Sequence, residues 1–336
     1  MSRLGIALAM HPERTEHVVS DELLQRLEGI GRLLDREPLQ NFSDERARRV
    51  LRETEILITG WGVPEVGSEV LAAASGLKIV AHAAGTVKGI IGEEIFKAGI
   101  AVSHAAEANA IPVAEFTLAA ILFAGKRVFR FRDLYAADRN RHRTHPMQRL
   151  AIGNYRRTVG IIGASRIGRR VIDLLKPFAY KLVLFDPTIS MAEARGLGAE
   201  KLDLDTLIKV SDIVSIHAPS LPSTRHMIDA DRLALMKDGA TLINSARGAI
   251  IDEAALLAAL ATGRIDAIID VTDPEIPEPS SAFYDLPNVF LTPHIAGAVG
   301  LERMRLGEMA VDEIERFLKG EPLLYGVTLA DLEKIA

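Results

Sequence analysis

Three stretches in the second half of the chain contain side chains of the types that proteins use for proton transfer and anion binding. In order, they are Arg247 in INSARGAIIDEAAL, Glu275 in IIDVTDPEIPEP and His294 in DLPNVFLTPHIAG. A histidine titrates near neutral pH and can act as acid or base, and a guanidinium binds a carboxylate through two parallel hydrogen bonds. Taken singly, each residue also has a structural interpretation. Arg247 could form an ion pair before a helix, Glu275 could be solvated in a proline-rich turn, and His294 could bond to backbone at a strand end.

A glycine-spaced turn within VGIIGASRIG predicts a dinucleotide site. A short apolar run meets Gly163 and Gly168, and the helical pattern RRVIDLLKPF follows. In a βαβ unit such a turn directs backbone N–H groups and the positive end of a helix dipole at a pyrophosphate. Ser165 replaces the middle glycine of the usual G-x-G-x-x-G, so the motif depends on its context. We expect cofactor contacts from Gly163, Ser165, Ile167 and Gly168. Arg166 could add a contact with phosphate, or it could be a solvated surface arginine.

An acidic residue, Asp186, ends the next predicted strand, KLVLFD. A carboxylate there accepts hydrogen bonds from ribose hydroxyls and repels a 2′-phosphate, which favours NAD over NADP. The alternative is that Asp186 only ends a strand and begins an Asp-Pro turn with Pro187.

Alternating strand and helix patterns along the whole chain predict the elements that position these residues. In the first half, GIALAM, EILITGW, LKIVAHAAG and IAVSHA read as strands, and DELLQRLEGIGRLL, SEVLAAAS and IGEEIFKAG read as helices. Two long helices are expected in IPVAEFTLAAILFAGKRVF, with Pro112 near its first turn, and in GLERMRLGEMAVDEIERFLKG. The second series of strands begins at 159 and reads as a six-stranded doubly wound unit.

The predicted fold class is therefore α/β, with two Rossmann-like domains, doubly wound parallel sheets and an active-site cleft between them. We expect residues 1–107, completed by 297–336, to form a substrate-binding domain, and residues 108–296 to form an NAD-binding domain.

Composition excludes several other classes of protein. The chain has 336 residues, a formal net charge of −5 and no cysteine. It therefore has no global attraction to nucleic acid or anionic membranes, and it can form neither a disulfide nor a thiolate site, which fits a reducing cytoplasm. The apolar run 4–10 is too short for a signal sequence. Glu115 interrupts the longest apolar segment, 111–125, so no membrane span is expected.

A basic stretch at 126–149 allows two interpretations. It contains seven arginines and one lysine, together with His142 and His145. A nucleic-acid surface is one interpretation. The other, favoured by the negative total charge and by interrupting acids such as Asp133 and Asp138, is a solvated or subunit-facing arm. The two histidines have no acidic third ligand nearby, so no metal site is expected.

The ordered set ARG, D-V-x-x-x-E and TPHIAG resembles the D-isomer-specific 2-hydroxyacid dehydrogenases, a family that includes glycerate, lactate, phosphoglycerate and formate dehydrogenases. The resemblance extends from the strand before Ala81 to the helix after Gly297. It implies that Arg247 binds the substrate carboxylate and carbonyl, that His294 is the acid/base and that Glu275 is its acidic partner. All three follow predicted strands, at the edge where open α/β sheets bind their ligands.

The resemblance also implies further contacts with the cofactor. Asp270 corresponds to the family aspartate that holds the nicotinamide carboxamide. Alternatively, Asp270 is only a buried acid at the end of a strand. His217 in SIHAP matches the H-x-P segment near the cofactor and is expected to be structural rather than catalytic. Ala246, directly before Arg247, is expected beside the cofactor as well.

For the substrate, the resemblance indicates the loop HAAGTVKG, where family members usually have A-G-x-G-x-D-N. Gly85 and Thr86 are the best candidates for presenting backbone N–H groups to the substrate carboxylate. In ITGWG the arginine of phosphoglycerate-type members is absent. Trp61 lies nearby instead, which argues against a phosphorylated substrate and for an apolar or aromatic wall, unless Trp61 simply packs in the core. The arm at 126–149 is where family members commonly dimerise, so a homodimer is expected.

Together these features imply an NAD-dependent cytoplasmic oxidoreductase, similar to hydroxypyruvate and glyoxylate reductases, that interconverts a D-2-hydroxy acid and a 2-keto acid by hydride transfer. No nucleic-acid or membrane partner is expected. The alternative is a non-catalytic NAD(H)-sensing scaffold, because transcriptional corepressors that resemble these enzymes reuse the same fold.

Overall fold

The computed structural model describes residues 3–332, and the chain divides into two compact units. One unit contains the residues up to Asn109 and those from Ala298 onward, and the other is Ala110–Gly297. Each unit has its own parallel sheet with an apolar cluster on both faces. The predicted α/β class with doubly wound parallel sheets is confirmed.

The strands in chain order are β1 (Gly5–Ala9), β2 (Arg32–Leu33), β3 (Ile56–Thr59), β4 (Ile79–His82), β5 (Ala101–His104), β6 (Thr158–Ile162), β7 (Lys181–Phe185), β8 (Glu200–Lys201), β9 (Ile213–Ile216), β10 (Thr241–Asn244), β11 (Asp266–Ile269) and β12 (Val289–Leu291). The α-helices are α1 (Asp21–Ile30), α2 (Glu45–Leu51), α3 (Ser68–Ala73), α4 (Glu93–Lys97), α5 (Ala106–Lys126), α6 (Val128–Asp138), α7 (Thr144–Met147), α8 (Arg166–Leu175), α9 (Met191–Leu197), α10 (Leu204–Val210), α11 (Ala230–Leu235), α12 (Glu253–Ala261) and α13 (Met304–Leu318).

In the first unit the sheet has the order β2-β1-β3-β4-β5. Successive side chains of β1 point to opposite faces. Ile6 and Leu8 therefore pack with α1 and α13, whereas Ala7 and Ala9 pack with α2, α3 and α4. All strands are parallel, so the loops after β1, β3 and β4 leave the sheet at the same edge.

In the second unit the order is β12-β11-β10-β9-β6-β7-β8. The chain starts in the middle at β6, builds outward through β7, and then crosses to β9 on the other side of β6. The crevice beside such a reversal, at the carboxyl ends of the strands, is where open α/β sheets bind their ligands. Helices α10, α11 and α12 cover one face of this sheet, and α5, α8 and α9 cover the other.

Several elements differ from the sequence-based expectation. The segment predicted as one helix from 21 to 34 ends at Ile30, and Arg32–Leu33 form β2 beside β1. Gly31 ends the helix in an extended conformation, where a Cβ would lie 2.6 Å from the Ile6 side chain. The second sheet has seven strands rather than six, because Glu200–Lys201 pair with β7. Helix α2 was not predicted.

Helix α5 begins at Ala106, so Pro112 lies inside the helix and not near its first turn. Glu115 does not prevent α5 from reaching the length and apolarity of a membrane span. More than half of that apolar segment is buried inside the protein, however, as in a core helix.

Candidate active site

The three predicted catalytic residues follow neighbouring strands of the second sheet. Arg247 follows β10, Glu275 lies in the loop after β11, and His294 lies in the loop after β12. Because the three strands are adjacent and parallel, their loops leave the same edge of the sheet.

Glu275 and His294 form a hydrogen bond between Oε1 and Nδ1. The backbone of His294 is in the left-handed region, with φ 54°, and its N–H donates to the carbonyl oxygens of Asp270 and Thr292. Nε2 has no partner among the described residues, and the side chain is 45% exposed. His294 can therefore exchange a proton with a ligand through Nε2 while Glu275 holds the ring.

Asp270 holds the loop that carries His294. Its carboxylate is 2% exposed and accepts hydrogen bonds from the Thr292 hydroxyl at 2.6 Å and from the N–H groups of Ile295 at 2.8 Å and Ala296 at 2.9 Å. Such charge-assisted bonds are about twice as strong as neutral ones. Sequence reasoning missed Thr292 as a partner of Asp270, since it occurs within TPHIAG with nothing to show what it contacts.

Arg247 is exposed and extends from a turn built by Asn244. The Asn244 side chain donates to the Arg247 carbonyl at 3.0 Å and accepts from the Ala246 N–H at 3.1 Å. The guanidinium donates to the Ala246 carbonyl at 2.7 Å and forms no ion pair with an acid in residues 3–332. The structure brings Glu275 and His294 together, but it does not join the Arg247 side chain to either of them.

Gly248 lets the Arg247 loop touch the loop that leads to Glu275. A Cβ at Gly248 would lie 2.1 Å from the carbonyl carbon of Thr272 and 2.5 Å from the Asp273 nitrogen. Only a glycine fits without moving backbone. The Thr272 hydroxyl in turn donates to the Glu275 carbonyl at 3.0 Å. Sequence reasoning missed both residues, although the glycine directly after Arg247 was a visible signal.

The predicted dinucleotide turn follows β6 and has the shape that the motif requires. Gly163 has φ 102°, and a Cβ there would meet the backbone of Ala218 at 2.7 Å. A Cβ at Gly168 would lie 2.0 Å from the Gly163 carbonyl oxygen. Both glycines therefore allow close packing of the turn and of the start of α8.

Ser165 is accommodated because it caps α8. Its backbone is extended, with φ −64° and ψ 176°, so the position does not require glycine. Its hydroxyl accepts from the Gly168 N–H at 3.3 Å. The N–H of Ile167 has no acceptor among the residues that the structure describes, and it remains available to an anion at this helix N-terminus. These residues fit the diphosphate of a dinucleotide.

Asp186 lies at the end of β7 beside this turn. It accepts from the Ala164 N–H at 2.7 Å and from the backbone and hydroxyl of Thr188 at 2.7 and 2.6 Å. Burial acts to raise the pKa of Asp186, but these hydrogen bonds, together with the charge of Arg169, hold that pKa below its usual value. The group stays ionised at neutral pH and can accept further hydrogen bonds.

His217 is buried beneath the turn, with Nε2 bonded to the Ser215 hydroxyl at 2.9 Å. Its Nδ1 has no hydrogen-bond partner, and burial lowers the pKa of His217 to about 3. It is therefore neutral at physiological pH.

The predicted substrate residues Gly85, Thr86 and Trp61 lie in the first unit, in the loops after β4 and β3. A Cβ at Gly85 would lie 3.6 Å from the Asn109 amide nitrogen, and the Thr86 hydroxyl accepts from the Lys88 N–H at 3.2 Å. Trp61 is partly buried against the core and contacts the guanidinium of Arg303.

Residues 118–296 match the family model described as D-isomer specific 2-hydroxyacid dehydrogenase, NAD binding domain. The chain belongs to the D-isomer specific 2-hydroxyacid dehydrogenase family. The matched segment of this family member contains the whole second sheet and the site residues from Gly163 to His294. The resemblance predicted from the ARG, D-V-x-x-x-E and TPHIAG motifs is confirmed, as is NAD as the cofactor.

Two named relatives match most of this chain. This chain is 30% identical over 318 residues to the D-3-phosphoglycerate dehydrogenase of Archaeoglobus fulgidus. The aligned segment covers 94% of this chain and 59% of that protein. The chain is 34% identical over 276 residues to the glyoxylate reductase of Thermococcus litoralis, covering 81% of this chain and 82% of that protein. The chain spans about half the length of the phosphoglycerate dehydrogenases that it matches.

The fold is also found in solved structures of the family. The crystal structure of apo D-mandelate dehydrogenase from Rhodotorula graminis aligns with a TM-score of 0.77 and 26% identity over 97% of each chain.

Proposed function

We propose that this protein is an NAD-dependent oxidoreductase that interconverts a D-2-hydroxy acid and a 2-keto acid. The observation that carries the proposal is the bond between Glu275 and His294, formed at the carboxyl edge of a sheet that belongs to an NAD-binding domain. The named relatives reduce glyoxylate or oxidise 3-phosphoglycerate and mandelate, which supports a small 2-hydroxy or 2-keto acid as the substrate.

In the proposed reaction, NAD supplies the acceptor for the hydride that leaves carbon 2 of the hydroxy acid. His294 takes the hydroxyl proton at Nε2, and Glu275 orients the ring through Nδ1. Arg247 pairs with the substrate carboxylate and polarises the carbonyl that forms. In the reverse direction, His294 returns the proton to the oxygen as hydride reaches carbon 2. Gly85 and Thr86 remain our candidates for further contacts with the carboxylate.

A panel of 2-keto acids tests this function: glyoxylate, hydroxypyruvate, pyruvate and phenylpyruvate, each followed by NADH oxidation. We expect turnover on at least one of them, and a loss of kcat of about 10²–10⁴-fold in His294→Gln, because proton transfer in the transition state is worth that factor.

His226 provides the matched control. Like His294, it has a left-handed backbone, with φ 50°, and a 45% exposed side chain near a carboxylate, that of Asp252. His226→Gln should keep full activity. NADH binding without turnover on any keto acid would favour the scaffold, and equal rates for wild type and His294→Gln would remove His294 from its role.

We also propose that the protein acts in the cytoplasm as a homodimer joined through the arm that contains α6 and α7. Tyr135 on this arm and Leu150 and Tyr155 after it are more than half exposed, and a second copy would cover such apolar surface. Light scattering after size-exclusion chromatography should give twice the mass of the chain, and a monomer at micromolar concentration would contradict the dimer.

A further inference from the structure

A cation over the Trp61 ring changes the character expected of the wall that Trp61 forms. The guanidinium carbon of Arg303 lies 5.7 Å from the centre of the Trp61 ring. Trp61 follows β3, whereas Arg303 ends the short 3-10 turn that leads into α13. A guanidinium over an aromatic ring is attracted to the ring face and can still donate hydrogen bonds from its N–H groups.

Those N–H groups have little to bind within the protein. The Arg303 Nε donates to the Ala298 carbonyl at 3.4 Å, a weak bond. In the part of the chain that the structure describes, neither terminal nitrogen has an acceptor and no acid forms an ion pair with Arg303. Elsewhere in the same unit, Arg26 pairs with both Asp312 and Glu315. Arg303 is partly buried, but its terminal nitrogens are not among the buried polar atoms that lack a partner. They are open to solvent and can donate to an anionic ligand.

A chain of contacts links Arg303 to the predicted substrate loop. Ala298, whose carbonyl Arg303 contacts, donates its N–H to the Asn109 side chain at 3.0 Å. The amide nitrogen of the same Asn109 lies 3.6 Å from where a Cβ of Gly85 would stand. Trp61 and Gly85 also follow neighbouring strands, β3 and β4. Ala298 and Asn109 therefore connect Arg303 to the loop that we assign to the substrate.

A second arginine lies next to the Trp61 loop. The Cδ of Arg14 is 3.4 Å from the position that a Cβ of Gly62 would occupy. Arg14 is exposed and likewise forms no ion pair with any acid in residues 3–332. Near Trp61, the edge of the first sheet thus has two arginines that pair with no acid in residues 3–332, and such a surface is suited to anions.

We propose that Arg303, held over Trp61, binds a second anionic group of the substrate, remote from the reacting carbon. The favoured substrates are then 2-hydroxy and 2-keto acids that carry a second carboxylate or a phosphate, rather than those with an apolar side chain. This inference rests on the proposed function, and it assigns the specificity of that reaction to a residue outside the motifs that identify the family.

The test compares keto acids with one and with two anionic groups. Oxaloacetate and 2-oxoglutarate supply a second carboxylate, 3-phosphohydroxypyruvate supplies a phosphate, and pyruvate supplies neither. Wild type should have a higher kcat/KM for at least one dianionic acid than for pyruvate, and the better of the carboxylate and phosphate acids identifies the group. In Arg303→Met the KM for that acid should rise about 10- to 100-fold, as expected for a lost charged hydrogen bond. Its kcat, and both constants for pyruvate, should change less than about threefold.

Arg305→Met is the matched control, because Arg305 lies two residues away and is exposed. It should leave all constants unchanged, and Arg303→Lys should recover part of the loss. The proposal would be overturned if pyruvate were the best substrate, or if Arg303→Met changed the KM for pyruvate and for the dianionic acids equally. Either result would leave the proposed function intact. If no keto acid is turned over, the proposed function fails. Calorimetric titration with succinate and with inorganic phosphate then tests Arg303 alone. If Arg303→Met binds these anions as tightly as wild type, Arg303 is not the anion-binding residue.

Discussion

At the scale of single residues, His294 keeps one ring nitrogen for a ligand because its other contacts are fixed within the second unit. Glu275 holds Nδ1, and the Asp270 carbonyl accepts from the His294 backbone. The TPHIAG motif was enough to predict the histidine. It could not show that the Asp270 carboxylate also binds the backbone N–H groups of Ile295 and Ala296, the two residues directly after His294. Those bonds join residues that follow different strands.

Asp270→Asn should weaken this loop. The amide has the same size, but its nitrogen donates where the carboxylate accepted, so one backbone N–H loses its partner. We expect a loss of about 1.5–3 kcal/mol in the free energy of unfolding and a lower kcat, measured by urea denaturation and by NADH oxidation. The exposed Asp285 serves as the control. Unchanged stability and rate in Asp270→Asn would show that the loop does not depend on the carboxylate.

Asp186 should decide between the two nicotinamide cofactors. Its carboxylate is ionised beside the glycine turn and repels a 2′-phosphate. Wild type should therefore prefer NADH to NADPH. The substitution Asp186→Asn keeps an acceptor for the Ala164 N–H but removes the charge. It should reduce the preference for NADH by about tenfold or more, because about 1.4 kcal/mol of repulsion is removed. The measurement is kcat/KM for each cofactor with one keto acid. A wild type that prefers NADPH would contradict this assignment.

At the scale of elements, two loops of the site are joined by backbone packing at Gly248. Gly248→Ala places a Cβ against the Thr272 and Asp273 backbone, and overpacking of this kind costs about 1–3 kcal/mol. The Arg247 loop must then move from the Glu275 loop, and kcat should fall at least about tenfold. Thermal unfolding and NADH oxidation measure the two effects.

Gly196 in α9 provides a matched control for this substitution. A Cβ there has nothing within 4 Å, so Gly196→Ala should leave the rate unchanged and the stability unchanged or raised, because alanine favours helix. If Gly248→Ala behaved in the same way, the contact between the two loops would not matter for the site.

The sequence predicted most strands of both sheets because their apolar runs are short and regularly spaced. It failed where tertiary packing outweighs the local pattern. Arg32–Leu33 and Glu200–Lys201 are edge strands of two residues, too short to show a strand pattern, and only their pairing with a neighbouring strand makes them recognisable. Pro112 lacks the N–H that a helix interior uses, yet the burial of α5 keeps it helical. The contact of Arg303 with Trp61 joins residues far apart in sequence and could not be predicted from either motif.

At the scale of the whole molecule, two buried histidines should make the protein sensitive to acid. His82, at the end of β4, has Nδ1 bonded to the Thr59 hydroxyl at 2.8 Å. Burial, aided by the charge of nearby His104, lowers the pKa of His82 to about 4, and burial lowers that of His217 to about 3. The unfolded chain protonates these groups below about pH 6.5 while the folded chain does not. Stability is therefore complete above that pH and falls as the pH drops towards the folded values.

At pH 5 the unfolded chain has both histidines protonated and the folded chain does not. For each histidine, this difference should lower the free energy of unfolding by about 2 kcal/mol relative to neutral pH. Urea denaturation at pH 7.5 and pH 5 measures the difference. His217→Gln should show a smaller loss between the two pH values than wild type, whereas the exposed His226→Gln should show the wild-type loss. An equal loss in His217→Gln and wild type would contradict the argument.

In the proposed reaction, hydride passes from the cofactor to carbon 2 of a keto acid, and His294 supplies the proton. The most direct measurement uses NADH with deuterium at both C4 positions of its nicotinamide ring, incubated with the best keto acid, and analyses the product by mass spectrometry and chiral chromatography. We expect a D-2-hydroxy acid with one deuterium on carbon 2, formed at least about 100-fold more slowly by His294→Gln. A product without deuterium, or no product from any keto acid, would contradict it.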